Sequence, residues 1–120
     1  MVVLMLPKVE LPRINDKFNK NFSLKQTYRS KKENLVRRLI DDNKGLEKVK
    51  PPYQVEIEIG THYDIDSCIK PLLDSMQDAE LIDNDKNILK MIIEKEKVKR
   101  NEDNWIIVTL IHYEKRKGMR

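Results

Sequence analysis

The sequence predicts an α+β fold in which two helices pack on a single mixed β-sheet, with the elements in the order β-α-β-α-β-β. Two patterns indicate this fold: residues 53–63 alternate between apolar and polar side chains, and two longer segments repeat apolar residues every three or four positions. Strands and helices that alternate along one chain are typical of a sheet covered by helices. The length of 120 residues suits one domain, so a single domain is expected over residues 1–120.

The N-terminal half is expected to supply an edge strand and a helix. Residues 2–10 form the expected edge strand, because Pro7 removes one donor from the hydrogen-bond ladder. From about residue 24 to 42 the pattern is helical, and Gly45 follows as a terminator. The apolar face of this helix consists of Leu24, Tyr28, Leu35 and Leu39.

The next two elements are expected to form the centre of the fold. The alternating strand points Val55, Ile57 and Ile59 inward. The second helix is expected to begin near Ser67, since a proline such as Pro71 is best tolerated in a first turn. Its core face comprises Ile69, Leu72, Leu73 and Met76.

The C-terminal part is expected to add two strands, at residues 88–98 and 105–113. The turn-like sequence RNEDN joins them and Trp105 opens the second, so they are expected to pair as a hairpin.

Composition limits the classes of function. Charged residues make up 37% of the chain, and 24 Lys and Arg exceed 20 Asp and Glu by four. The cations form separate groups, which favours a nucleic-acid partner, although ordinary surface lysines account for the composition equally well.

Cys68 is the only cysteine, so a reducing compartment and a packing role are expected for it. With one cysteine and two histidines, a structural zinc site is improbable. No segment is long and apolar enough to predict a signal peptide or a membrane span, so a cytoplasmic protein without a membrane partner is expected.

Acidic residues and one lysine give the most informative pattern, in YDIDSCIKPLLDSMQDAELIDND. Asp64 and Asp66 are expected on the loop before the second helix, and Lys70 in its first turns. We expect the helix to return the chain so that Asp83 and Asp85 lie at the same end of the sheet as the first pair. Carboxylate oxygens suit Mg²⁺ and an ammonium complements a phosphodiester. The pattern therefore predicts a metal-dependent nuclease acting on DNA.

Two other interpretations of these residues compete. Asp66, Lys70 and Asp74 recur every four residues and could form an ordinary solvated helix flank with salt bridges. The segment DNDKNILKMIIE matches the ligand spacing of a calcium loop, but Ile88 replaces the required glycine and the segment fits a strand better.

The motif Asp-x-Asp-x-x-x-Lys-Pro-x-x-Asp at residues 64–74, followed by I-D-N-D at residues 82–85, resembles the RusA family of Holliday junction resolvases. The resemblance covers nearly the whole chain. YRSKKENLVRRLI is similar to the family's basic first helix, and LPRINDKF is similar to its N-terminal element, through Leu11, Pro12, Asn15 and Phe18.

The resemblance implies a structure-selective endodeoxyribonuclease, bacterial or phage-encoded, that resolves four-way DNA junctions in recombination and repair. It implies that Asp64, Asp66 and Asp85 bind Mg²⁺, or Mn²⁺ in its place, that Lys70 is essential, and that the protein is a homodimer. No organic cofactor is expected. Ser67 and Asn84 depart from the family pattern, which has Asn and Asp at these positions.

Further residues are assigned supporting roles: Asp74 orients Lys70, and Asp83 and Asn84 flank the third acidic ligand. Cations on the first helix and on residues 95–100 are expected to bind the arms of branched DNA through phosphates. They are Lys25, Arg29, Lys32, Arg37, Arg38, Lys95, Lys97, Lys99 and Arg100. Two alternatives stay open: a catalytically impaired DNA junction-binding protein, and a small interaction domain with a solvated acidic helix.

Overall fold

The computed structural model describes residues 1–14 and 26–114, and places a four-stranded mixed sheet against two helices. The predicted α+β class and the order of the six main elements are confirmed. The elements are β1 (Val2–Leu6), α1 (Gln26–Asn43), β2 (Tyr53–Gly60), α2 (Ile65–Asp78), β3 (Ile88–Glu96) and β4 (Trp105–His112). None of the helices in the described ranges is long and apolar enough to cross a membrane.

The strand order is β1-β4-β2-β3, which corrects the expected C-terminal hairpin. β3 runs parallel to β2, whereas β4 lies between β1 and β2 and is antiparallel to both. The reason is the β2–α2–β3 crossover, because a helix that packs back on the sheet returns the chain parallel to the preceding strand. β4 is apolar on both faces and suits the interior of the sheet, while the charged β3 suits an edge.

The core lies between one face of the sheet and the two helices, as the alternation predicts. Every second residue of β1, β2 and β4 is buried on this face, and the predicted stripes of both helices pack on it. Fully buried members include Leu35, Leu39, Val55, Ile57, Ile59, Leu72, Met76, Ile106 and Val108. Ile69 is only half-buried at the margin of the core, and Leu24 lies outside the described residues.

Element ends differ from the expectations in two places. β1 is an edge strand, as expected, but ends at Leu6 directly before Pro7. α2 begins at Ile65, two residues earlier than expected, so that Pro71 lies inside the helix. The carbonyl of Pro71 accepts a hydrogen bond from the Ser75 hydroxyl at 2.7 Å. After the C-terminal end of α1, Gly45 adopts the left-handed conformation, with φ of 77°, and terminates the helix as predicted.

Candidate functional site

An open cleft of about 880 Å³ lies between the first turns of α2 and the C-terminal half of β3. Its apolar residues are largely or partly buried, whereas its acidic and basic residues are exposed. The lining comprises Asp64, Ile65, Asp66, Ile69, Lys70, Leu73, Ile93 and Lys95. Two carboxylates and two ammonium groups of the predicted site therefore face one cleft.

The end of β2 determines where this cleft begins. Gly60 pairs with Trp105, and a Cβ atom at Gly60 would collide with the indole ring, so this position requires glycine. The chain then turns: the Thr61 amide donates to the Glu96 carbonyl at 3.0 Å, and the Tyr63 amide donates to the Thr61 hydroxyl at 3.1 Å. This turn delivers Asp64 to the start of α2.

Asp64 and Asp66 both belong to the N-terminus of α2. Asp64 is the N-cap residue and Asp66 lies in the first turn, so only Asp64 precedes the helix as expected. The positive end of the helix dipole stabilises carboxylates at both positions. The Asp64 side chain makes no capping hydrogen bond, which leaves its oxygens available for a ligand. Both side chains are exposed to solvent.

Lys70 is held between two carboxylates. Its ammonium lies 2.7 Å from Asp85 Oδ2 and 3.1 Å from Asp74 Oδ1, which confirms the expected contact with Asp74. The hydrogen bonds to Asp85 and then to Asp74 raise the pKa of Lys70, and the Lys70 bond in turn lowers the pKa of Asp85. Lys70 is therefore a fixed cation and is unsuited to act as a general base.

Asp83 and Asp85 lie at the opposite end of the sheet from Asp64 and Asp66, so the expected gathering of both pairs at one end is wrong. They precede β3, and the Asp83 amide donates at 3.1 Å to the hydroxyl of Tyr53, the first residue of β2. Because β2 and β3 are parallel, α2 has to carry the chain from one end of the sheet to the other. Within residues 1–14 and 26–114, no group of three or more His, Cys, Asp or Glu side chains is close enough to hold a metal ion.

The expected supporting residues Asp83 and Asn84 shape the turn that precedes β3. Asp83 Oδ1 accepts from the Asn84 amide at 2.6 Å and from the Asn87 side chain at 2.9 Å. The Asn87 bond is the main reason for the lowered pKa of Asp83. The Asn84 side chain accepts from the Lys86 amide at 2.9 Å and caps the short 3₁₀ turn of residues 85–87. These side chains thus position Asp85 towards Lys70.

Two carboxylates, those of Asp64 and Asp66, line the cleft, and no third acidic side chain of the described residues does. Mg²⁺ commonly keeps several water molecules and binds one or two carboxylates together with the phosphates of a substrate. These two residues are therefore the candidates to hold Mg²⁺ here. Asp85 is the third ligand that the resemblance implies, and in the structure its carboxylate forms an ion pair with Lys70.

Arg13 is a cation near the site that the sequence analysis missed. Its guanidinium carbon lies 3.9 Å from the centre of the Tyr63 ring, and Tyr63 directly precedes Asp64. Tyr63 also contacts the His62 ring, with 4.6 Å between the ring centres. Arg13 lies within LPRINDKF, but the resemblance of this stretch to the RusA family rests on its neighbours and assigns no role to Arg13. Leu11 and Pro12 of that element are buried, and Asn15 and Phe18 lie outside the described residues.

The predicted DNA-binding cations occupy two regions. Lys95 lines the cleft, and Lys97 and Lys99 are exposed beyond the end of β3. Arg100 is engaged by Asp103, with 3.2 Å between Nε and Oδ2.

The cations of α1 border a second groove of about 700 Å³. Arg29, Lys32 and Arg37 line it, and Lys32 pairs with Asp78 at 2.9 Å. Arg38 donates to the Lys8 carbonyl at 3.0 Å, and Lys25 lies outside the described residues. Among the predicted DNA-binding cations that the structure describes, only Lys95 lines the cleft.

No protein-family model and no curated protein matches this chain.

Proposed function

We propose that this chain is a Mg²⁺-dependent endodeoxyribonuclease that cuts branched DNA and resolves four-way junctions. The observation that carries the proposal is the exposed cleft in which a carboxylate pair faces a lysine fixed by two further carboxylates. The resemblance of residues 64–85 to the RusA family supplies the substrate class. Such an enzyme would act in recombination and repair in the cytoplasm of a bacterium, whether encoded by the host or by a phage.

In this proposal the residues of the cleft divide the work of hydrolysis. Asp64 and Asp66 would hold Mg²⁺, which would supply Lewis-acid chemistry to the phosphate and to the attacking water. Lys70 presents a positioned ammonium to the phosphate and stabilises the negative charge that develops on it. Lys95, on the β3 side of the cleft, attracts the DNA backbone.

Asp85 has a positioning role in this proposal. Its carboxylate and that of Asp74 fix Lys70 from two sides, so the ammonium is held in place before the substrate binds. Preorganisation of this kind lowers the cost of ordering a long side chain during the reaction. Loss of Asp85 would therefore impair cleavage through Lys70.

Resolution of a four-way junction requires two cuts in strands of like polarity. A homodimer with one cleft in each subunit meets this requirement, because a twofold axis relates two cleavage sites on a branched substrate. The cations of α1 and of residues 95–100 bind the arms mainly through phosphates.

One observation favours a catalytically impaired junction-binding protein as the second candidate. Asp85 is engaged by Lys70, and the described residues contain no group of three His, Cys, Asp or Glu side chains that could hold a metal ion. Such a protein would bind branched DNA by its cations and would not cut it. An assay of junction cleavage separates the two candidates.

The test is cleavage of a synthetic four-way junction with and without Mg²⁺. We expect Mg²⁺-dependent cleavage by the wild type, and its loss in Asp64→Asn and Asp66→Asn, with junction binding retained or stronger because a negative charge near phosphates is removed. Asp41→Asn, at the exposed C-terminal end of α1, is the matched control and should cut normally.

Cleavage by both cleft variants at the wild-type rate would remove this carboxylate pair from the mechanism. A wild-type protein that binds the junction but does not cut it in Mg²⁺ or Mn²⁺ would establish the binding protein instead.

A further inference from the structure

β3 is a long edge strand with an apolar, exposed surface. It is nine residues long, and within the described part of the chain only β2 pairs with it. Leu89, Met91 and Ile92 are exposed at 59%, 41% and 38%. An edge strand carries a row of unpaired backbone donors and acceptors, and natural proteins usually shorten or cover such an edge. This edge is therefore suited to pairing with another strand.

Beside this edge, the face of the sheet opposite the helices carries an unbalanced negative charge. In the parallel register Glu58 lies directly opposite Glu94, and both point away from the helices. Like charges at directly opposed positions destabilise a sheet. Glu56 lines the same groove as these two side chains. A cation placed next to Glu94 from outside would relieve this repulsion.

We propose that β3 pairs antiparallel with β3 of a second copy, about a twofold axis that is perpendicular to the sheet and lies midway between the two copies of Ile92. The result is a continuous eight-stranded sheet built from two four-stranded sheets. This inference deepens the proposed function by naming the surface of the dimer, but its test requires neither DNA nor a metal.

Residues 90–94 of β3 are self-complementary in this register. With Ile92 opposite its own copy, Lys90 lies opposite Glu94 of the second copy, and Glu94 lies opposite the second copy's Lys90. Met91 then lies opposite Ile93, so apolar residues meet on the helix side as well. Opposite charges and apolar pairs at directly opposed positions both stabilise antiparallel strands.

Neighbouring registers match less well. An axis that keeps the same face of both sheets outward has to lie midway between a residue and its own copy, because opposed residues in an antiparallel pair point to the same face. An axis between the copies of Met91 places Lys90 against Ile92. An axis between the copies of Ile93 pairs Lys90 with Glu96 but places Ile92 against Glu94. Only the axis at Ile92 pairs Lys90 with Glu94 and brings each lysine beside the Glu58–Glu94 repulsion.

The arrangement also has a consequence for the clefts. The axis is perpendicular to the sheet, so the helices of both copies lie on the same side. Ile93 and Lys95 belong both to β3 and to the lining of the cleft. The two clefts therefore flank the axis on one face, where a single branched DNA could reach both.

The test is a charge exchange across the axis, read as mass by sedimentation or light scattering. The wild type should have twice the 14.3 kDa mass of the chain. Lys90→Glu and Glu94→Lys should each be monomeric, because each opposes like charges twice across the axis. When the two variants are mixed in equal amounts, every opposed pair is again a lysine and a glutamate, so a heterodimer should form. Lys48→Glu, an exposed change of the same kind outside β3, should remain a dimer.

Any other oligomeric state in this test overturns the proposed interface. A monomeric wild type would show that the edge stays unpaired, and single variants that remain dimeric would place the interface elsewhere. Monomeric variants that fail to associate on mixing would reject the register. Circular dichroism of both variants checks that they are folded, which is expected because both side chains are exposed. A dimer that does not cut DNA would reject the nuclease and leave the interface intact.

Discussion

The salt bridge of Lys70 with Asp85 is the shortest between described residues, with 2.7 Å between Nζ and Oδ2. It joins a residue of α2 to a residue fifteen positions later, in the turn before β3, and therefore links the cleft to the opposite end of the sheet. Both groups are partly exposed, so solvent screens their attraction and the stabilisation is modest. The main value of the pair is geometric, since it fixes a flexible side chain in one place.

This pair predicts a dependence of stability on pH at both extremes. The pKa of Asp85 lies below its ordinary value of 3.8, so its contribution is present above that value and is lost as the pH falls through the lowered pKa. The pKa of Lys70 lies above 10.5, so its contribution is present below that value and is lost as the pH rises through the raised pKa.

We expect the thermal unfolding midpoint of the wild type to fall more steeply between about pH 5 and pH 2 than that of Asp85→Asn, which lacks the titrating carboxylate. Asp42→Asn, on the exposed end of α1, is the control and should follow the wild type. Parallel curves for wild type and Asp85→Asn would mean that the pair contributes nothing measurable in solution.

At the scale of elements, β2 and α2 together position the cleft. β2 buries every second side chain under the helices, and its last residue, Gly60, lies directly against the Trp105 ring of β4. α2 starts only five residues later and presents Asp64 and Asp66 at its first turn. The packing at Gly60 therefore determines how the chain enters the site.

Gly60→Ala should destabilise the protein by about 1–3 kcal/mol, the usual cost of forcing an extra methyl into a packed contact. The added Cβ collides with the indole of Trp105, the only tryptophan, so the ring has to move and its fluorescence emission should shift. Urea unfolding followed by fluorescence measures both effects. Gly45→Ala is a useful comparison, because a Cβ there meets open space and only the left-handed backbone is strained. An unchanged emission spectrum and midpoint in Gly60→Ala would show that the ring does not pack on β2 as described.

For the whole molecule, the distribution of cations decides how DNA would be bound. The cations lie on α1 and at the end of β3, and several are already engaged within the chain. Lys95 is the cation of the second region that lines the cleft. Separate groups of cations suit the arms of a branched DNA better than one continuous groove.

We expect tighter binding to a four-way junction than to a linear duplex of the same sequence, and a steep loss of affinity for both as salt rises. Lys95→Gln should lower the slope of log K against log salt by about 1, the value of one phosphate contact. Arg100→Gln should change it less, because Asp103 already neutralises this guanidinium. Fluorescence anisotropy over a salt series measures these slopes. Equal affinity for junction and duplex would exclude the resolvase and leave a less selective DNA-binding protein.

Local patterns in the sequence determined the elements and the buried faces of this protein. Side-chain periodicity depends only on the geometry of a strand or a helix, so the positions of Val55, Ile57 and Ile59, and of Leu72 and Met76, followed from spacing alone. The contact of Lys70 with Asp74 followed for the same reason, since residues four apart adjoin on one helix face.

Only the tertiary structure decided which strands are neighbours and which end of the sheet each aspartate occupies. β3 and β4 follow each other in sequence, but β4 is inserted between β1 and β2, because the parallel crossover through α2 places β3 at the edge. The same crossover separates Asp85 from Asp64 and brings it to Lys70. Such long-range choices depend on how whole elements pack against one another, and the spacing of residues along the chain carries little information about that packing.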